Sequence, residues 1–175
     1  IAPYRQVIAE VNEVAGRFAY PGSPEIVARL LRAGDTLVAN ELHPDDHDLL
    51  ARHFRADKRV KVTGQDAEAC IKSSLPPPER RGLILIDPPY EAKDDAVRAV
   101  RMVAQGLPRF TQGIFLVWYP LKADSTAKSV TEGLAALGVA STLRLELQIR
   151  ESFKGGGLAG SGLVVINTPW RFHEE

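Results

Sequence analysis

Apolar positions along this chain follow two alternating rhythms. Over residues 3–15, Tyr4, Val7, Ile8, Val11 and Val14 recur at helical spacing and share one face. Tyr20-Pro21-Gly22 reads as a turn. Ser23 then predicts an N-cap, with Pro24 at the first helical position and Gly34 closing the helix after Leu30 and Leu31. Beyond it, short apolar runs predict strands over 36–42, 60–63, 82–86 and 113–119. Helical patterns are interleaved over 43–55, 66–73, 94–105 and 125–137. Strands alternating with helices predict an α/β fold with a largely parallel sheet. Two strands, 141–149 and 162–167, finish the chain with no helix between them, so they are expected to form an antiparallel hairpin across a glycine-rich loop.

Composition narrows the classes without naming one. With 175 residues, 45% of them apolar, the chain can bury one core, and a single domain over 1–175 is expected. Its 22 lysines and arginines balance 22 aspartates and glutamates, so no overall charge announces a polyanion. The local clusters Lys58-Arg59-Lys61 and Arg80-Arg81 read equally well as solvated surface or as a nucleic-acid contact. Cys70 stands alone, which excludes a disulfide framework and fits a reducing, cytoplasmic setting. No apolar run approaches the roughly 20 residues of a membrane span, so no membrane partner is expected, and no protein partner is implied. The sequence opens on Ile1 rather than methionine, as a fragment would.

The segment Ile84-Leu85-Ile86-Asp87-Pro88-Pro89-Tyr90 carries the most chemistry. Two prolines fix their own φ and remove two backbone donors, so the strand must stop there. The Asp87 side chain and the Pro88 carbonyl are left as acceptors at a strand's carboxyl end, with the Tyr90 ring beside them. Such a set suits a planar heterocycle or amide bearing an amino group. Two earlier strands also end in an acid, Glu41 and Asp66. Ligands of open α/β sheets bind outside the carboxyl ends of the strands, so the three carboxylates are expected to line one crevice. Glu41 is placed to take a ribose hydroxyl pair and Asp66 an adenine amino group, although an acid in such a position also serves as a helix N-cap.

His43 and His47 stand four apart among Asp45, Asp46 and Asp48, a spacing able to grip zinc on a helix. The same residues equally describe a helix N-terminus whose acids favour the dipole, and no metal is expected.

The Asp87 motif is similar to the catalytic turn of S-adenosylmethionine-dependent amino methyltransferases. Its context extends the resemblance: Tyr20-Pro21-Gly22-Ser23-Pro24, Glu41-Leu42-His43-Pro44, residues 80–91, Val117-Trp118-Tyr119-Pro120 and Val165-Ile166-Asn167-Thr168-Pro169-Trp170. Together these resemble the bacterial 23S ribosomal RNA adenine-N(6) methyltransferase family, some members of which carry an older label tying them to use of external DNA. The resemblance spans about residues 4–170. It implies a Rossmann-like class I methyltransferase fold, S-adenosyl-L-methionine as cofactor and 23S ribosomal RNA as partner. By motif, it implies cofactor contacts at Ser23, Glu41, Asp66, Ala67 and Asp87, and catalysis at Asp87, Pro88 and Tyr90.

In that family a glycine-rich cofactor loop follows the first, central strand. Neither is present in this sequence, which predicts that the complete protein begins upstream of Ile1. Phe153-Lys154-Gly155-Gly156-Gly157 spells a motif that some DNA amino methyltransferases place after the catalytic turn. Because it leads into a strand rather than a helix, it reads as a hairpin loop near the rim of the site. A DNA adenine methyltransferase, a glutamine-modifying methyltransferase and a metal-dependent nuclease or binding protein acting on external DNA remain the alternatives. Glutamine-modifying enzymes usually carry Asn in the first position of the turn, since an amide both donates and accepts; Asp87 favours an amine.

Overall fold

The computed structural model describes residues 2–15, 19–149, 157–170 and 172. The chain divides into two compact units, Ile1–Cys70 and Ile71–Glu175.

In the first unit, helices α1 (Ala2–Ala15) and α2 (Ser23–Leu30) precede strand β1 (Leu37–Asn40), helix α3 (Pro44–His53) and strand β2 (Val60–Thr63). Strands β1 and β2 run parallel, Leu37 opposite Val60 and Asn40 opposite Thr63. Parallel neighbours need a crossover, and α3 supplies it. Pro44 opens α3 and Asp45 and Asp46 sit in its first turn, where acids meet the positive end of the dipole. Val7, Val11, Ala28, Ala39 and Phe54 form the buried core.

Two boundary expectations are corrected in this unit. Gly22, not Ser23, caps α2: its backbone is extended and its carbonyl accepts from Ile26 N at 3.1 Å, while Ser23 is the first helical residue and makes no capping bond. The helix also ends before Gly34, because Leu31 already adopts extended geometry.

Helix α4 (Ala67–Ser74) crosses the division between the units. The second unit holds β3 (Leu83–Ile86), α5 (Asp95–Gly106), β4 (Ile114–Leu121), α6 (Thr126–Ala135), β5 (Thr142–Gln148) and β6 (Gly160–Ile166). Its sheet has the order β3-β4-β6-β5. Strands β3 and β4 are parallel, and β6 is antiparallel to both β4 and β5. The expected antiparallel hairpin is therefore present, with the last strand placed between β4 and β5. Phe115, Val117 and Tyr119 alternate along β4 and are fully buried, against a core that includes Val103, Val130, Val165 and Ile166. Strand β3 lies at the sheet edge with Leu83 and Leu85 exposed. Of the glycine-rich loop expected over 153–157, residues 153–156 lie outside the described residues.

Among the described residues, no helix is long and apolar enough to cross a membrane.

Candidate active site

The carboxyl ends of β1 and β2 carry the first group of candidate residues. Glu41 extends the ladder by one step, its N–H donating to Thr63 O at 2.9 Å. One of its carboxylate oxygens accepts from His43 N at 2.8 Å. The side chain faces a cleft of about 490 Å³ whose other walls are Pro24, Asn40, Asp46, Leu49, Leu50 and His53. His53 Nε2 lies 2.7 Å from Glu25 Oε2. Burial works against ionisation of Glu25, but His53 and the Arg29 guanidinium outweigh it and hold the carboxyl below its usual range.

Asp66 precedes α4, and its Oδ1 accepts from Glu68 N at 3.0 Å and Ala69 N at 3.3 Å. This is the helix-capping role that an acid at a strand-to-helix junction commonly takes. Ala67, the first residue of α4, is half-buried, and Ser23 is exposed at the start of α2. Glu41 and Asp66 thus follow the ends of adjacent, parallel, in-register strands, as their spacing in the sequence implied.

Asp87, Pro88 and Tyr90 belong to the second unit. Ile86 pairs with Val117, and the chain leaves the sheet at Asp87. The Asp87 residue is exposed, yet the protein packed along one flank still disfavours its charged form, and this burial pushes its pKa up. Two prolines are followed by Tyr90 at φ +54°, a left-handed conformation that costs a non-glycine residue about 1–2 kcal/mol.

Two contacts hold that turn. The Tyr90 ring is only 7% exposed, and its hydroxyl donates to Trp118 O at 2.5 Å. The Trp118 ring lies 6.1 Å away, tilted by 51°. Burial, and then the negative charges of Asp87 and Asp95, push the Tyr90 hydroxyl well above its ordinary pKa, so it stays a donor. The second contact is Asp95, itself buried, whose Oδ2 accepts from both Glu91 N and Ala92 N at 3.0 Å. The Tyr90 ring, expected beside the two acceptors, is thus largely buried, with its hydroxyl engaged by a backbone carbonyl. The ring points inward, because a carbonyl 28 residues further along the chain lies within reach of its hydroxyl.

The two histidines weighed as metal ligands face their own neighbours, His43 Nδ1 lying 3.5 Å from Asp46 Oδ2 and His47 Nδ1 3.4 Å from Asp48 Oδ1. Among the described residues, no group of three or more His, Cys, Asp or Glu side chains is placed to hold a metal ion.

Asp95 and Asn40 escaped sequence reading. An acid at the start of a helix, just after a proline-rich turn whose backbone donors need acceptors, is a signal that could have revealed Asp95. Asn40 gave none beyond its place next to Glu41.

Comparison with known proteins assigns the chain. Residues 1–175 match the model of the family described as ribosomal RNA large subunit methyltransferase D, RlmJ. The chain belongs to this family. Among its RlmJ relatives is the ribosomal RNA large subunit methyltransferase J of Haemophilus influenzae, to which the chain is similar at 42% identity over 176 residues, covering 100% of this chain and 63% of that protein. The chain thus spans less than two thirds of the curated relative's length. A crystal structure of protein LPL1258 from Legionella pneumophila is 31% identical with a TM-score of 0.88, covering 98% of this chain and 63% of that one. Human methyltransferase 10 domain containing protein superposes at a TM-score of 0.61 with 12% identity, over 95% of this chain and 82% of that one, a likeness of fold alone. The chain therefore has the methyltransferase-type α/β fold that its motifs implied.

Proposed function

We propose that the protein, at the full length of its relatives, transfers a methyl group from S-adenosylmethionine to the exocyclic N6 amine of an adenine in 23S ribosomal RNA. One observation carries the reading: a carboxylate and a proline carbonyl follow each other where β3 leaves the sheet, in a turn braced from behind by Tyr90 and Asp95. Membership of the RlmJ family supports it.

An adenine amine is a weak nucleophile because its lone pair is delocalised into the ring. The Asp87 carboxylate and the Pro88 carbonyl accept its two N–H bonds, which favours a pyramidal nitrogen with the lone pair directed outward. Positioning and fixed dipoles of this kind supply much of an enzyme's rate enhancement. Asp87, whose burial makes it more basic than an ordinary aspartate, can also receive the proton that the methylated nitrogen sheds. Tyr90 keeps the two acceptors in place. The target base has to leave its stack to reach them.

The cleft beside Glu41 suits a nucleoside: a carboxylate for a ribose hydroxyl pair, with Pro24, Leu49 and Leu50 as apolar walls for a flat ring. Glu41 with Ser23, Asp66 and Ala67 is the set that holds S-adenosylmethionine. When bound, that molecule supplies a methyl group activated by a sulfonium centre. A ribosomal RNA substrate places the reaction in the cytoplasm.

The test offers methyl-labelled S-adenosylmethionine and the full-length protein to 23S ribosomal RNA and, separately, to duplex DNA. Label recovered as N6-methyladenosine from the RNA is the expected result. Label entering DNA alone, or neither nucleic acid, overturns the reading.

A further inference from the structure

The amide of Asn40 makes three hydrogen bonds, all to the end of the neighbouring strand and the loop that follows it. Its Oδ1 accepts from Thr63 Oγ1 at 2.9 Å and from Gln65 N at 3.0 Å, and its Nδ2 donates to Gln65 O at 2.9 Å. Both kinds of amide atom are therefore used, a pattern that an ionised Asp, which has no donor, cannot reproduce. Gln65 is fixed through its N–H and its carbonyl together. Glu41 follows Asn40 directly, and Asp66 follows Gln65 directly. One side chain thus ties the backbone at one carboxylate to the backbone at the other, and Asn40 itself lines the cleft that Glu41 faces.

We infer that Asn40 is a positioning residue that sets the spacing of Glu41 and Asp66, and through them the grip on the nucleoside part of the cofactor. This deepens the cofactor reading above and rests on it. The ladder between β1 and β2 ends at Asn40 and Thr63, with one further bond from Glu41 N to Thr63 O. Past that bond the pairing of β1 with β2 does not continue, and Gly64 adds freedom of its own. The Asn40 amide replaces the missing ladder. Such pre-organisation lowers the ordering cost that a ligand must otherwise meet when it bridges two acids.

The experiment uses the full-length protein and calorimetric titration with S-adenosylhomocysteine. Replacing Asn40 with Ala weakens binding about tenfold, while turnover at saturating S-adenosylmethionine stays within about twofold of wild type, because only ligand positioning is lost. Asn40→Asp keeps an acceptor for Thr63 and Gln65 N but turns an oxygen toward Gln65 O, so it fails to rescue. Thr63→Val, which removes one of the three bonds without altering the cleft, weakens binding by about threefold and stands in should the Asn40 variants fold poorly. In a Glu41→Ala background, Asn40→Ala adds less than about twofold, since its effect runs through the paired acids. Wild-type affinity in Asn40→Ala and in Thr63→Val overturns the inference alone. Fully multiplicative losses in the double variant do the same. No binding by the wild-type protein overturns the cofactor reading and the inference with it.

Discussion

The hydroxyl of Tyr90 donates to the backbone carbonyl of Trp118 at 2.5 Å, joining the turn after β3 to the middle of β4. A left-handed tyrosine is sustained only where its surroundings over-determine it. Here the buried ring, the hydroxyl bond and the Asp95 carboxylate do so together.

Replacing Tyr90 with Phe leaves the Trp118 carbonyl without that donor and is expected to cost about 1–2 kcal/mol of stability. Because the turn holds Asp87, methyl transfer should drop about tenfold, beyond what partial unfolding explains. Thermal unfolding together with single-turnover assays checks both. A Phe variant equal to wild type in each would remove the hydroxyl bond from the account.

Asp95→Ala strips the acceptor from two backbone N–H groups and is expected to destabilise by roughly 2–3 kcal/mol, whereas Asp95→Asn should cost less because one oxygen remains. Denaturant titration of the D95A and D95N variants tests the ranking. A D95N variant less stable than D95A would contradict it.

Burial raises the folded-state pKa of Asp87 above its unfolded value, so the folded protein holds this proton more tightly than the unfolded chain. Stability from this group is therefore highest below the unfolded pKa and is lost as pH rises through the folded pKa. Asp87→Asn should raise the unfolding midpoint at neutral pH, with the gain vanishing in acid as the wild-type carboxyl protonates. Activity runs the opposite way. The wild-type acid limb should lie above the range of an ordinary aspartate, since only the ionised carboxylate can receive the proton that the methylated nitrogen sheds. A midpoint lowered by Asn at neutral pH contradicts the burial penalty.

Tyr119, Gly162 and Glu146 stand in register across β4, β6 and β5. The Tyr119 ring passes over Gly162 and its hydroxyl donates to Glu146 Oε1 at 2.8 Å. A Cβ on residue 162 would lie 2.1 Å from Tyr119 Cζ. Gly162→Ala must displace a fully buried ring and should cost about 2–3 kcal/mol, whereas Tyr119→Phe should cost about 1 kcal/mol, because Glu146 is exposed and regains water. Thermal denaturation of the two variants gives the order, and the reverse order would dismiss the crossing.

Much of this was legible from local pattern. Val60–Thr63 is a strand in the sequence and in the structure, and the acids after β1, β2 and β3 stand where the pattern put them. The start of β6 was hidden because Gly160 offers no side chain to an alternation, although it pairs with Gln148 across the sheet. Strand β4 runs on through Pro120 to Leu121, where a proline reads as a stop. Long-range contacts were out of reach altogether. Nothing local tells that Tyr90 turns inward to a carbonyl 28 residues on, or that Asn40 reaches residues 23 and 25 positions away.

Single-turnover transfer of labelled methyl to 23S ribosomal RNA, by full-length wild type and by Asp87→Ala, tests the central claim most directly when S-adenosylhomocysteine affinity is measured alongside. The account predicts a loss of about a hundredfold or more in transfer, with affinity kept within about threefold. Near-normal transfer by Asp87→Ala would contradict it.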